Sequence, residues 1–260
     1  MRKAAIFLYG LVCYLMFAGV LVYAIAFVCD LVPHSVSSGT EAPLGETLVI
    51  NTLLLSLFAV QHSGMARRGF KSWIKSYIPE PIERSTYVLA TNVVFALLFW
   101  QWRPMSATIW QVDAIWASGL LWALCIFGWG FMATATIMID HFELFGLRQV
   151  WRHLHDDSDL SPKFRVVGFY KLVRHPIQTG FVIAFWATPH MTAGHLMFAL
   201  VTTAYILVAL KFFEEPDLEV EFGDQYRDYK RQVGMLVPGG NCYVAPDATK
   251  GIDTPMRKRE

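Results

Sequence analysis

The stretch Tyr170–Glu215 reads YKLVRHPIQTGFVIAFWATPHMTAGHLMFALVTTAYILVALKFFEE. Two apolar runs, 176–189 and 194–213, are divided by turn signals at Pro189 and Gly194 and flanked at both outer ends by charge. Arg174 and His175 stand before the first run; Glu214 and Glu215 follow the second. A chain that crosses lipid and returns brings these two charged ends to the same face. Polar groups at that boundary cost free energy unless something uses them. The hairpin reading therefore carries both the fold and the site.

Outward from this stretch the same grammar repeats. Over half of the 260 residues are hydrophobic, about one in seven is aromatic, and the mean hydropathy is positive, too apolar for a soluble domain of this length. Six apolar segments lie at roughly 4–29, 46–65, 85–102, 114–139, 176–189 and 194–213. A hydrocarbon core of about 30 Å requires about 20 apolar residues in a helix. Five segments reach or approach that length, whereas 176–189 offers only ~21 Å at ~1.5 Å per residue, a short tilted span or half of a re-entrant hairpin. The expected fold is an all-α polytopic membrane bundle of five or six apolar helices, the last two a hairpin, with a small cytoplasmic helical cap at the C-terminal end.

The basic residues orient it. Of 22 Lys and Arg, only Arg103 falls on the face opposite the others. The positive-inside rule then puts both termini and both long loops in the cytoplasm, as expected of a bacterial inner-membrane protein. The first run is longer than a signal-peptide core and lacks a clean small-x-small cleavage site, so it reads as a span. Cys13, Cys29, Cys125 and Cys242 show no C-x-x-C spacing, which argues against disulfides and zinc. Residues 66–84 mix bases with Phe70, Trp73, Ile74 and Tyr77, suiting a helix on the inner leaflet. Residues 1–238 read as one membrane domain, and 239–260 as a disordered tail.

Two cytoplasmic pieces remain, 140–175 and 211–238. In the second, Pro216 suits the first turn of a helix, and Tyr226 and Tyr229 share one helical face. The hairpin brings Arg174, His175 and Pro176 to Glu214 and Glu215. A helix starting at Pro176 offers unpaired N–H groups to an anion, and Gly180 would admit close approach of a flat ligand to the backbone. Tyr226, Tyr229 and Phe181 offer faces to an aromatic ring or a cation. A ligand with a carboxylate, an ammonium, a sulfonium and an adenine would use all of these; S-adenosylmethionine is such a ligand. No Walker loop supports ATP, and the GWG at Gly128–Gly130 follows no strand.

VRHPIQTGF followed by FFEEPDLEVEFGDQYRDYKRQV resembles the C-terminal signature of the integral-membrane methyltransferases related to isoprenylcysteine carboxyl methyltransferase, R-H-P-x-Y-x-G, then E-E, then a Gly and two tyrosines. Gln178 stands where that pattern has tyrosine. IDHFELFGLRQVW, Ile139 to Trp151, is similar to a segment of the bacterial methanethiol S-methyltransferases, a short-chain branch of the same superfamily. Membrane proteins named for nitrite and nitric oxide metabolism share the layout. The resemblance implies an enzyme that moves a methyl group from S-adenosylmethionine to methanethiol, giving dimethyl sulfide. It places the cofactor in the half 140–238, on Arg174, His175, Pro176, Gln178, Gly180, Glu214, Glu215, Tyr226 and Tyr229.

Such a reaction requires a base, since the thiolate is the nucleophile. His141, oriented by Glu143, is the first candidate and Glu214 or Glu215 the second. His141, Phe142, Leu144, Phe145 and Trp186 are the candidate lining for a small apolar thiol. RHLHDD, 152–157, reads as a solvated loop, and no metal is expected. His62 lies near the inner end of the second segment; His34, His190 and His195 fall on the outer side and need no role. The expected partners are a small thiol and the lipid bilayer, with no nucleic acid; nothing speaks to oligomeric state. A prenylcysteine or phospholipid amine as acceptor is the first alternative. A non-catalytic subunit or transporter is the second, and it fits less well because the unusual polar groups gather at the boundary rather than the midplane.

Overall fold

A computed structural model of the chain describes residues 2–157, 164–239 and Tyr243. The tail expected to be disordered, 239–260, lies outside those residues apart from Gly239 and Tyr243, and Cys242 lies outside them too. Helices α1 (Arg2–Val28) and α2 (Leu44–Ala66) have no polar stripe, the pattern of a helix with apolar surroundings on every side. A short helix α3 (Arg68–Ile74) follows, with Trp73 and Tyr77 exposed beside it, within the stretch expected to lie on the membrane surface. A 3-10 turn at Glu80–Ile82 leads into α4 (Glu83–Gln101). Strand β1 (Thr108–Gln111) and helix α5 (Ile115–Ile139) come next, then the short α6 (His141–Leu144) and α7 (Leu147–His155). The last third holds α8 (Pro176–Trp186), β2 (His190–Thr192), α9 (Ala193–Ala209), a π-helical turn (Leu210–Glu214), α10 (Glu215–Phe222) and α11 (Asp224–Gln232).

Five helices are long and apolar enough to cross a membrane. Their outward faces carry exposed Leu, Ile, Val and Trp, including Val22, Leu53, Trp100, Ile126 and Ile137, which only hydrocarbon would cover favourably. The protein is an all-α polytopic membrane bundle, with one two-stranded antiparallel ribbon at one end, Thr108 opposite Thr192 and Gln111 opposite His190. We call that the ribbon end, and the end holding Lys3, Arg84 and Arg174 the basic end.

The ribbon resolves the short fifth segment. Helix α8 has 11 residues, ~16 Å of rise, too short to cross alone. It runs antiparallel to α5 from the basic end, and the chain then continues extended to β2, where it pairs with β1. The pass is completed without turning back. Extended backbone at such depth must be satisfied within the protein. The Trp110 indole donates to Thr188 O at 3.1 Å, Val112 N to Pro189 O at 2.9 Å, and Thr188 Oγ1 to His190 O at 2.9 Å. His195, assigned no role on sequence, is buried and donates through Nε2 to Phe185 O at 2.9 Å, capping the last turn of α8.

The seam between α5 and α8 is built on glycine. A Cβ at Gly180 would lie 2.6 Å from Met132 N and 2.7 Å from Gly128 O. Small residues that let backbones touch are what association in lipid depends on, because tails are as apolar as leucine. Toward the ribbon end, Phe27, Phe99, Trp102, Phe185 and Phe198 interlock edge-to-face or tilted. Buried Asn51 of α2 donates to Arg103 O at 2.7 Å and accepts from Arg103 N at 3.0 Å, closing the C-terminus of α4. Leaving either group unmade would cost about 1–3 kcal/mol. Cys13, Cys29 and Cys125 are buried free thiols, with Cys29 and Cys125 sulfurs 3.7 Å apart.

Candidate active site at the basic end of the bundle

Pro216 has no N–H to donate and its ring crowds the preceding turn, so the last membrane helix cannot continue as regular α-helix into α10. It widens into the π turn instead, with Glu215 N donating to Leu210 O. The helix the sequence predicted to begin near Pro216 is therefore a continuation of α9 through a wider turn. π turns recur at functional sites, and this one ends on Glu214.

The two glutamates have different surroundings. Glu215 is buried; it accepts from Arg174 Nε at 2.8 Å and Nη2 at 2.6 Å, pairs with Lys230 at 2.9 Å, and lies 3.3 Å from His175 Nε2. Arg174 also donates to Lys230 O and Val233 O, so its guanidinium is engaged on several sides. The segment after α11 clasps this knot: Arg174 N donates to Gly234 O, His175 N to Met235 O, and Thr179 Oγ1 to Leu236 O. Glu214, with nearly half its side chain exposed, is 3.4 Å from His175 Nδ1, and Gln178 Nε2 reaches it only at 3.5 Å. The start of α8 has no side-chain cap. A half-free carboxylate thus sits beside a helix start with orphan N–H groups.

Burial pushes the His175 imidazole down, but hydrogen bonds from its ring to Glu214 and Glu215, and their charges, outweigh it and hold the pKa above the ordinary 6.5. A raised histidine stabilises the fold in its protonated form: the contribution is complete below the unfolded value and disappears as pH rises through the folded one. The melting temperature in detergent is therefore expected to fall between about pH 6 and about pH 9, and His175→Gln to flatten that slope. An unchanged slope in the variant would assign it to other groups.

Tyr226 and Tyr229 are buried in the core of the cap with Val233, against Phe164 and Phe222. Tyr229 Oη donates to Tyr170 O at 2.6 Å, whereas the buried Tyr226 Oη has no partner among the described residues. Gly180 does not face a ligand: its missing Cβ admits α5. Trp186 lies near the far end of α8, ~15 Å of helix from Pro176, and donates to Thr203 Oγ1 at 2.9 Å.

His141 stands on a neighbouring face of α5. The backbone at Asp140 has φ +122°, unusual for a non-glycine residue, and its carboxylate caps α6 by accepting from Glu143 N at 3.1 Å. Strain of this kind costs about 1–3 kcal/mol and clusters at functional sites. The ring of His141 is surrounded by Tyr14, Phe17, Phe142 and Phe145. Burial holds its pKa down against the pull of Asp140. Thr136 Oγ1 spends its proton on Ala133 O at 2.7 Å, so at 2.8 Å it accepts from His141 Nδ1–H. Nε2 then accepts from Tyr14 Oη at 3.0 Å. Glu143, expected to orient His141, instead pairs with Arg152 at 3.5 Å; Tyr14 and Thr136 orient the ring. In the RHLHDD segment, Asp156 pairs with Lys3 and His155 donates to Trp151 O.

Sequence reasoning missed Lys230, Thr179, Tyr14 and Thr136. Their partners are remote in the chain or lie on another helix, and no spacing rule joins them.

A family model described as NnrU protein matches residues 50–217. Methanethiol S-methyltransferase of Mycobacterium tuberculosis is 52% identical over 92% of this chain and 98% of its own length. Methanethiol S-methyltransferase of Pseudomonas sp. is 46% identical over 92% of each chain, and mouse nurim 30% identical over 63% of this chain and 65% of its own. The chain belongs to the NnrU family, within its branch of membrane enzymes named methanethiol S-methyltransferase. No solved structure matches.

Proposed function

We propose that this enzyme methylates a small thiol, methanethiol first, with S-adenosylmethionine as donor, at the cytoplasmic face of the membrane. The observation that carries the reading is the contrast at the end of the last helix: Glu215 is consumed by Arg174 and Lys230, while Glu214 stays half-exposed beside His175 and the uncapped start of α8. A zwitterionic amino-acid moiety fits this arrangement. Glu214 would hold its ammonium; protonated His175, Gln178 and the first N–H groups of α8 would hold its carboxylate. The unpartnered Tyr226 hydroxyl is a further polar contact. Arg174, Glu215 and Tyr229 keep the cap closed over these groups. When bound, the sulfonium supplies an activated methyl group; the protein's part is to orient the acceptor, which can supply about 7–11 kcal/mol of the barrier, and to take its proton. The acceptor reading rests on the names of the relatives, which cover nearly the whole chain.

Calorimetry of purified protein with S-adenosylmethionine tests the donor, and Glu214→Gln is expected to weaken binding about 10- to 100-fold, the range for a hydrogen bond to a charged group. Its exposure leaves the fold intact. Labelled donor offered with methanethiol, sulfide and a prenylcysteine analogue then tests the acceptor. Absence of donor binding would remove the enzyme reading, and product from the prenylcysteine alone would remove the small-thiol reading.

A further inference from the structure

An ionisable side chain within a membrane helix is costly unless it has a use, and α2 carries one. His62 lies toward the basic end of α2, its ring stacked on Phe58 at 5.1 Å. Tyr87 Oη of α4 lies 2.8 Å from Nδ1 and 2.9 Å from Nε2, facing the ring edge between them. A hydroxyl so placed engages one nitrogen well, and no other partner of the ring is present among the described residues, so the second nitrogen is open. Around it are Ser63, which bonds Tyr205 Oη of α9 at 3.0 Å, and Arg84, whose guanidinium lies 5.0 Å over the Tyr87 ring. The charges that reach His62 are those of Arg84 and Glu214; Tyr87 feels Arg84, Tyr205, Glu214 and Arg67. Glu214 thus links this cluster to the site at the start of α8.

Against the same residues lies a small cavity of about 90 Å³ between α2 and α9, lined by Leu55, Phe58, Ala59, Val201, Thr202 and Tyr205. A cavity of about 150 Å³ accommodates benzene. The smaller one suits a molecule of a few heavy atoms and excludes a prenyl chain.

We propose that this cavity holds the acceptor thiol and that His62, positioned by Tyr87, is the base that takes its proton. The proposal rests on the methyl-transfer reading. The proton of the S–H bond moves to the open ring nitrogen and the bonding pair stays on sulfur, giving a thiolate and an imidazolium that faces Glu214. The proton later leaves to water. His141, with Nδ1 donating to Thr136 and Nε2 accepting from Tyr14, has no lone pair to offer and is a positioning residue.

The test uses the full chain in detergent, with donor calorimetry beside steady-state kinetics on methanethiol. His62→Gln is expected to lower kcat about 10²- to 10⁴-fold near neutral pH, with activity recovering about tenfold per pH unit as thiolate forms in solution, and with donor affinity unchanged. Ala59→Leu, which fills the cavity, is expected to raise KM for methanethiol at least tenfold with kcat and donor affinity retained. His62→Gln turning over at the wild-type rate with the wild-type pH profile would overturn the base. Ala59→Leu leaving KM unchanged would overturn the pocket. If His62→Gln fails to fold, Tyr87→Phe is expected to shift the pH profile of kcat, and an unshifted profile overturns the base equally. Wild-type protein that binds no donor refutes the methyl-transfer reading instead.

Discussion

Glu215→Ala is expected to destabilise the protein by about 3–5 kcal/mol, the range for removing one partner of a buried ion pair. The carboxylate is almost wholly buried and serves Arg174, Lys230 and His175 together. Removing it strands the Arg174 guanidinium, itself only 9% exposed, with two backbone carbonyls for company. Thermal unfolding in detergent and limited proteolysis across α10 and α11 read the loss. A paired change, Arg174→Met with Glu215→Leu, is expected to cost less than either single one, because no charge is left buried without its partner. Equal melting temperatures for wild type and Glu215→Ala would show that the knot does not hold the cap.

The second large effect lies in the seam. Gly180→Leu is expected to prevent α5 and α8 from packing and to abolish donor binding. The atoms a Cβ would meet, Met132 N and Gly128 O, are backbone and cannot swing aside. Gly180→Ala is the graded case, at about 1–3 kcal/mol for overpacking. Gly119→Leu, on the same α5 but with nothing within 4 Å of its Cβ, is the control and is expected to be silent. Size-exclusion chromatography and calorimetry separate the outcomes; a monodisperse Gly180→Leu protein with wild-type donor affinity would refute the seam. Because α8 begins at His175 and Gln178, its position on α5 sets where these side chains meet Glu214.

Much of the architecture was legible. Lipid imposes long apolar runs, and these mark the spans to within about two residues, as with the expected 114–139 and the observed Ile115–Ile139. The approach of Arg174 and His175 to the two glutamates was legible too, because a hairpin must return its ends to one side. The division of labour between Glu214 and Glu215 was not. Consecutive residues on a helix point about 100° apart, and which one turns inward depends on the π turn and on the partner Lys230 waiting there. Gly180 illustrates the same limit, since a sequence shows that a backbone can be approached closely but not by what.

What the sequence by itself determined is therefore the membrane bundle, its passes and the meeting of two charged helix ends, because the bilayer's demand for apolar length and satisfied backbone acts locally along the chain. Tertiary structure alone decided which polar side chains are spent on one another and which remain open. Glu215 is closed off by Arg174 and Lys230, and His141 by Tyr14 and Thr136, while Glu214 and His62 keep capacity to act. Hydrogen-bond saturation depends on neighbours brought from other helices, and those neighbours exist only once the chain has packed.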